Sequence, residues 1–255
     1  MPEKRSGLGM RFIDKLYKEN EIRFAVFCIM LYCALTVPAR SKGDDSLLML
    51  GTLTVETVLI AVFVKRSQLE HKYGLDRWPA DTKEYLYFIP MWILTTGNAW
   101  DGVEPYFEMP GEIYAALSLI LVGFVEEMLF RGFLFRALIP QTGVRKAVVI
   151  SALTFGIGHI VNLFNGQATL LTLVQVVFAL GWGFMLTLVY LKCGSIWPCI
   201  VAHSLVDAIS VIGKDTEKGD WIYIIVTIAA SAAYCLYLSK LDDFPLDDEE
   251  VIIVE

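Results

Sequence analysis

The chain has 255 residues, 56% of them apolar and 19% charged, and a formal charge of −7. Its mean hydropathy is +0.56 and its pI is near 5.1. A soluble domain averages roughly 45–50% apolar, glycine included, and about 25% charged. Here the charges cluster between long apolar runs, which with the acidic balance excludes a soluble enzyme, a disordered chain and a nucleic-acid binder. The pattern is that of an all-α, polytopic membrane helix bundle.

A membrane-crossing helix needs about 20 predominantly apolar residues. Residues 1–23 form a cytoplasmic N-terminal segment in this reading. In it Phe12, Ile13, Leu16 and Tyr17 recur at helical spacing beside Arg11, Lys15 and Lys18. That predicts a short helix on the inner membrane surface, with a loose basic tail as the alternative. The first three transmembrane helices fall within 24–100, as runs 24–39, 47–64 and 85–100. The third carries Pro90 and Gly97 and is expected to kink. Four more follow within 113–212, as 113–138, 147–161, 170–191 and 195–212, and the last is 221–238. An acidic tail, 239–255, closes the chain. The count is eight, with seven as the alternative, and the first run reads as a retained helix rather than a signal peptide.

Eight spans put both ends on one side. Sixteen of the 21 lysines and arginines then share that side, from Lys4 through Lys65, Arg66, Arg136, Arg145, Lys146 and Lys192 to Lys240. The other side holds Arg40, Lys42, Lys214 and Lys218, and Arg131 lies inside a span. The bias predicts that both termini are cytoplasmic. The five cysteines show no metal-binding spacing and read as small core residues.

Ionisable groups inside a bilayer cost on the order of 2.5–3.5 kcal/mol each at a helix centre, so each needs a reason. The fourth span holds Glu126, Glu127 and Arg131, the fifth His159, and the seventh His203 and Asp207. Glu127 and Arg131 are four apart, the acid first, and form a pair that leaves Glu126 without a local partner. His203 and Asp207 share a helix face in the same way, and Phe155 stands one turn before His159. At about 1.5 Å per residue, Glu126, His159 and His203 lie roughly 15–20 Å from the basic residues flanking their helices. Similar depths allow one pocket.

A glutamate, two histidines and an aspartate suit water activation, the carboxylate as base and the imidazoles beside the intermediate. The same four, Glu126, His159, His203 and Asp207, also suit a divalent metal such as zinc, although no HExxH is present. The bland alternatives are an architectural ion pair at Glu127–Arg131 and interhelical hydrogen bonds from the histidines. Glu56, in the second span, reads as an interhelical partner. Tryptophans and tyrosines, mostly at span ends, read as interface anchors.

The segments 126-EEMLFR-131, 155-FGIGH-159 and 203-HSLVD-207 match EExxxR, FxxxH and HxxxN/D motifs. In that order they resemble the CAAX protease and bacteriocin-processing family of membrane proteases, over residues 113–212. The resemblance implies an all-helical intramembrane endopeptidase whose cavity opens toward the cytoplasm. Eukaryotic members remove the last three residues of prenylated CAAX proteins. Carried over, Glu126 activates water, His159 positions it, and His203 with residue 207 forms the oxyanion side. Glu127, Arg131 and Phe155 support the site. Asparagine is usual at 207, and an ionised aspartate lacks the amide donor. Asp207 is therefore expected to orient His203.

The expected function is hydrolysis of a peptide bond in a peptide or membrane-tethered protein near the cytoplasmic face. No cofactor is required in the preferred reading, with a divalent metal as the alternative. The compact chain, without a eukaryotic targeting sequence, points to a bacterial cell membrane. A non-enzymatic membrane regulator or bacteriocin self-immunity protein is the competing class, and an ion or metal transporter a distant third.

Overall fold

In hydrocarbon every backbone N–H and C=O must be satisfied within the chain, so apolar runs of this length wind into helices. The computed structural model describes residues 8–79, 88–214, 217–238 and 240. Among them the regular structure is helical, apart from an isolated bridge between Val103 and Gly213. The acidic tail lies outside the described residues except for Lys240.

The N-terminal segment forms a helix, α1 (Leu8–Glu19). Ile13, Leu16 and Tyr17 pack on the core, while Phe12 remains exposed. Asp14 pairs with Arg66 at the end of the third helix, which fastens α1 across that end of the bundle. The next two are α2 (Glu21–Arg40) and α3 (Leu47–Arg66). Asn20 and Ser46 cap them, accepting from the Arg23 and Met49 amides at 2.8 and 3.2 Å. Such caps satisfy amides that the first helical turn leaves unpaired.

The expected third span takes a different form. Residues 85–87 lie outside the described residues, and the remainder is a short helix, α4 (Ile89–Thr95), followed by a 3-10 turn, Gly97–Ala99. Pro90 sits in the first turn of α4. Thr95 and Thr96 donate their hydroxyls back to the Trp92 and Ile93 carbonyls, and the helix stops there. A β-carbon on Gly97 would lie 1.8 Å from the Tyr223 ring, so glycine alone lets the turn dock. The turn then sits over the end of a later helix, where Asn98 Nδ2 donates to the Val206 carbonyl at 2.8 Å.

Helix α5 (Gly111–Glu127) passes without a break into a π-helical segment, Met128–Phe135, and then α6 (Arg136–Thr142). Helix α7 (Val144–Gly158) continues as a 3-10 stretch, His159–Asn165. Helix α8 (Thr169–Cys193) ends on Gly194, whose φ of +67° suits the left-handed cap. Helices α9 (Trp197–Ile212) and α10 (Glu217–Leu238) complete the chain. Among the described residues five continuous helices are long and apolar enough to cross a membrane: Glu21–Arg40, Leu47–Arg66, Gly111–Thr142, Val144–Asn165 and Thr169–Cys193. Trp197–Ile212 and Trp221–Tyr237 are shorter apolar helices.

The tightest pairings are α5 with α9 and α7 with α8. Small residues make them so. A β-carbon on Gly123 would fall 2.4 Å from Ser204 Oγ, and that hydroxyl donates across the seam to the Ile120 carbonyl at 2.9 Å. Gly156 meets Leu180, and Gly183 meets Ala152 and Phe155. Close backbone approach through small residues is the usual way helices associate in lipid, where hydrophobicity gives no advantage.

Glu56 is buried in α3, and neither carboxyl oxygen has a hydrogen-bond partner among the described residues. The interhelical partner expected for it is not seen. It lines an apolar cavity of about 550 Å³ bounded by α1, α2, α3 and α5.

Candidate active site

The paired glutamates stand where α5 gives way to the π-helical segment. Every residue of that segment is buried. Wider π winding disturbs the regular hydrogen-bond ladder and recurs at functional sites. Here the Phe130 carbonyl accepts from Ser151 Oγ of α7 at 2.9 Å. Arg131 still meets Glu127 one turn back, Nη1 donating to Oε1 at 2.7 Å with both side chains at 0% exposure. A second guanidinium nitrogen reaches the Gly183 carbonyl at 3.3 Å, and the guanidinium lies 4.3 Å from the centre of the Phe155 ring.

Glu127 does more than brace its helix. Its Oε1 also accepts from His203 Nδ1 at 2.8 Å, joining α5 to α9. With Nδ1 so engaged, Nε2 is the nitrogen left for chemistry. That atom faces two further acids, Asp207 Oδ2 at 3.4 Å and Glu126 Oε2 at 3.8 Å. The remaining Glu126 oxygen, Oε1, accepts from the Tyr32 hydroxyl of α2 at 2.7 Å. Glu126 Oε2 has no hydrogen-bond partner among the described residues.

His159 opens the 3-10 stretch after α7, its Nδ1 3.1 Å from the Phe155 carbonyl. Its link to the cluster runs through Phe155, whose ring packs edge-on against both His159 (5.2 Å) and His203 (5.6 Å). Direct contacts therefore join Glu126, Glu127, Arg131, His203 and Asp207, and an aromatic wall joins His159 to them. Among the described residues no three His, Cys, Asp or Glu side chains are grouped to hold a metal ion.

Two contributors carry no motif. Tyr32 is 94 residues from Glu126 in sequence. Its only signal is a tyrosine in the middle of an apolar run rather than at its end. Asn98, which anchors α9 beside Asp207 through the Val206 carbonyl, sits in an irregular stretch with no periodicity to mark it.

The long apolar helices, with polar and charged groups gathered between them, define a multi-pass membrane protein. Residues 111–209 match the family model described as "Type II CAAX prenyl endopeptidase Rce1-like". The match covers under half of the 255 residues, and over this stretch the chain is similar to that family of endopeptidases. The match starts at the first residue of α5 and ends two residues after Asp207, covering all three motifs but neither Tyr32 nor Asn98. No curated protein and no solved structure matches the chain significantly.

Proposed function

We propose that the protein is an intramembrane endopeptidase that hydrolyses a peptide bond in a peptide or membrane-tethered protein, with Glu126 as the base that activates water. One observation carries this reading. Glu126 is held through Oε1 by the Tyr32 hydroxyl, while Oε2 is buried, unbonded among the described residues and turned toward His203 Nε2. An oriented carboxylate with one bare oxygen is what a general base requires.

In the proposed reaction Glu126 Oε2 takes a proton from water as its oxygen bonds to the carbonyl carbon. His203, oriented by Glu127 through Nδ1, presents Nε2 to the developing oxyanion. Asp207 holds the imidazole from the other side, and His159 positions the water against the Phe155 wall. The proton on Glu126 passes to the departing amine nitrogen as the C–N bond breaks. Glu127 and Arg131 neutralise each other and keep the histidine's orienting acid in place.

The test uses purified protein with a quenched peptide library, each sample assayed for bound metal by elemental analysis. Wild type should cleave, Glu126→Gln should lose about 10²–10⁴-fold in rate, and Asp207→Asn should retain substantial activity. Total loss in Asp207→Asn together with loss of a bound metal would make Asp207 a ligand. No cleavage by folded wild type, with Glu126→Gln fully effective in cells, would make the protein a membrane regulator instead.

A further inference from the structure

The acid of α3 that the catalytic cluster does not use, Glu56, is 7% exposed, and neither of its oxygens has a hydrogen-bond partner among the described residues. It stands near the middle of its helix, about 15 Å along the axis from Arg66. An uncompensated carboxylate in apolar surroundings is costly, and a cation brought against it removes that cost. The cavity that Glu56 lines has a volume of about 550 Å³. Small-molecule sites typically measure about 300–1,000 Å³. Leu31 and Leu35 of α2 and Leu59 and Val62 of α3 line it and are also exposed. In a bilayer those faces meet lipid, so the cavity opens sideways into hydrocarbon.

Charge and hydrogen bonding select the occupant. Among the described residues that line the cavity the only cation is Arg66, and Asp14 of α1 engages it. Tyr32 also lines the cavity, but its hydroxyl is committed to Glu126 Oε1 at 2.7 Å. A peptide segment would bring backbone N–H and C=O groups that walls of leucine, isoleucine and valine cannot satisfy. A hydrated inorganic cation would pair with Glu56 and leave those walls unfilled. A fatty acid would set one carboxylate against another. An alcohol has one O–H to donate, whereas an ammonium has three N–H donors, no acceptor and the opposite charge.

We propose that this cavity is a binding site for a hydrophobic amine, its ammonium on the Glu56 carboxylate and its hydrocarbon body between α2, α3 and α5. The amine enters sideways from the bilayer and reaches Glu56 without passing Glu126. It is held by none of the groups assigned to hydrolysis, so the site stands or falls independently of the endopeptidase reading.

The test uses the full chain in phosphatidylcholine nanodiscs and a dodecylamine that carries a photoreactive diazirine in its chain. Labelled residues are located by mass spectrometry. Wild type should be labelled on the cavity-lining residues of α2 and α3. Plain dodecylamine should compete, while dodecanol and dodecanoic acid should each compete more weakly by about tenfold or more. Glu56→Gln keeps the shape and removes the charge, and should lose labelling by about tenfold or more. Glu56→Asp, which keeps the acid, should retain part of it. An unfolding midpoint is measured for each variant, and if Glu56→Gln proves unstable the competition series on wild type decides. Equal competition by dodecanol, or wild-type labelling in folded Glu56→Gln, would overturn the proposal and leave a gap that any hydrocarbon chain fills. Labelling of folded wild type scattered over its lipid-facing surface, without concentration at this cavity, would overturn it as well.

Discussion

In the proposed mechanism the neighbours Glu126 and Glu127 have different tasks, and their surroundings differ accordingly. Glu127 accepts from both Arg131 and His203 and is wholly enclosed. Among the described residues Glu126 accepts from one hydroxyl, that of Tyr32; both glutamates leave Oε2 without a partner there, but Glu126 is 13% exposed where Glu127 is 0%. Tyr32→Phe removes that donor at little cost to packing. It should lower kcat about tenfold with KM nearly unchanged, because it loosens the base rather than the substrate, and cost roughly 1 kcal/mol or less of stability. Steady-state kinetics beside a melting curve will check this. Glu127→Gln leaves the buried Arg131 charge without its counter-ion, at a cost of about 3–5 kcal/mol, read as a lower unfolding midpoint in detergent. The Glu127–Arg131 pair was legible as an i, i+4 pattern. The bond from Glu127 to His203 was not, because it crosses 76 residues and spacing within one helix says nothing about it.

Among the elements, the long apolar helices agree closely with the runs read from the chain. A run of Leu, Ile, Val and Phe bounded by charge has no other stable form in lipid. The exceptions arise where side chains compete with the backbone ladder. The stretch expected as a third span ends at Thr95, because threonine hydroxyls and the docking of Gly97 on Tyr223 outweigh apolar composition. The π winding after Glu127 was also hidden, since Met-Leu-Phe-Arg-Gly-Phe-Leu-Phe is equally apolar in either winding. The α5–α9 seam decides whether Glu127 reaches His203, and Gly123 decides the seam. Gly123→Ala pushes a methyl to 2.4 Å from Ser204 Oγ and 2.5 Å from its backbone nitrogen. It should cost about 1–3 kcal/mol and depress activity beyond that loss, by separating the two helices. Paired measurement of the unfolding midpoint and specific activity separates the two effects.

At the scale of the whole molecule, the three motifs lie on three helices that meet around the Phe155 ring, within the stretch 111–209 that resembles the Rce1-like family model. The preceding helices complete the site rather than merely anchoring it, since α2 supplies Tyr32 and the turn after α4 holds α9 at Val206. Similar depth along separate helices allowed the convergence without establishing it, because the contact between Glu127 and His203 depends on how α5 and α9 pack. The central claim is that Glu126 delivers water to a peptide bond. Its most direct test is cleavage of a defined peptide in ¹⁸O-labelled water, with products weighed by mass spectrometry for wild type and Glu126→Gln. The account predicts one ¹⁸O in the new carboxyl terminus with wild type and no product above background with the variant. Cleavage by Glu126→Gln at the wild-type rate would contradict it.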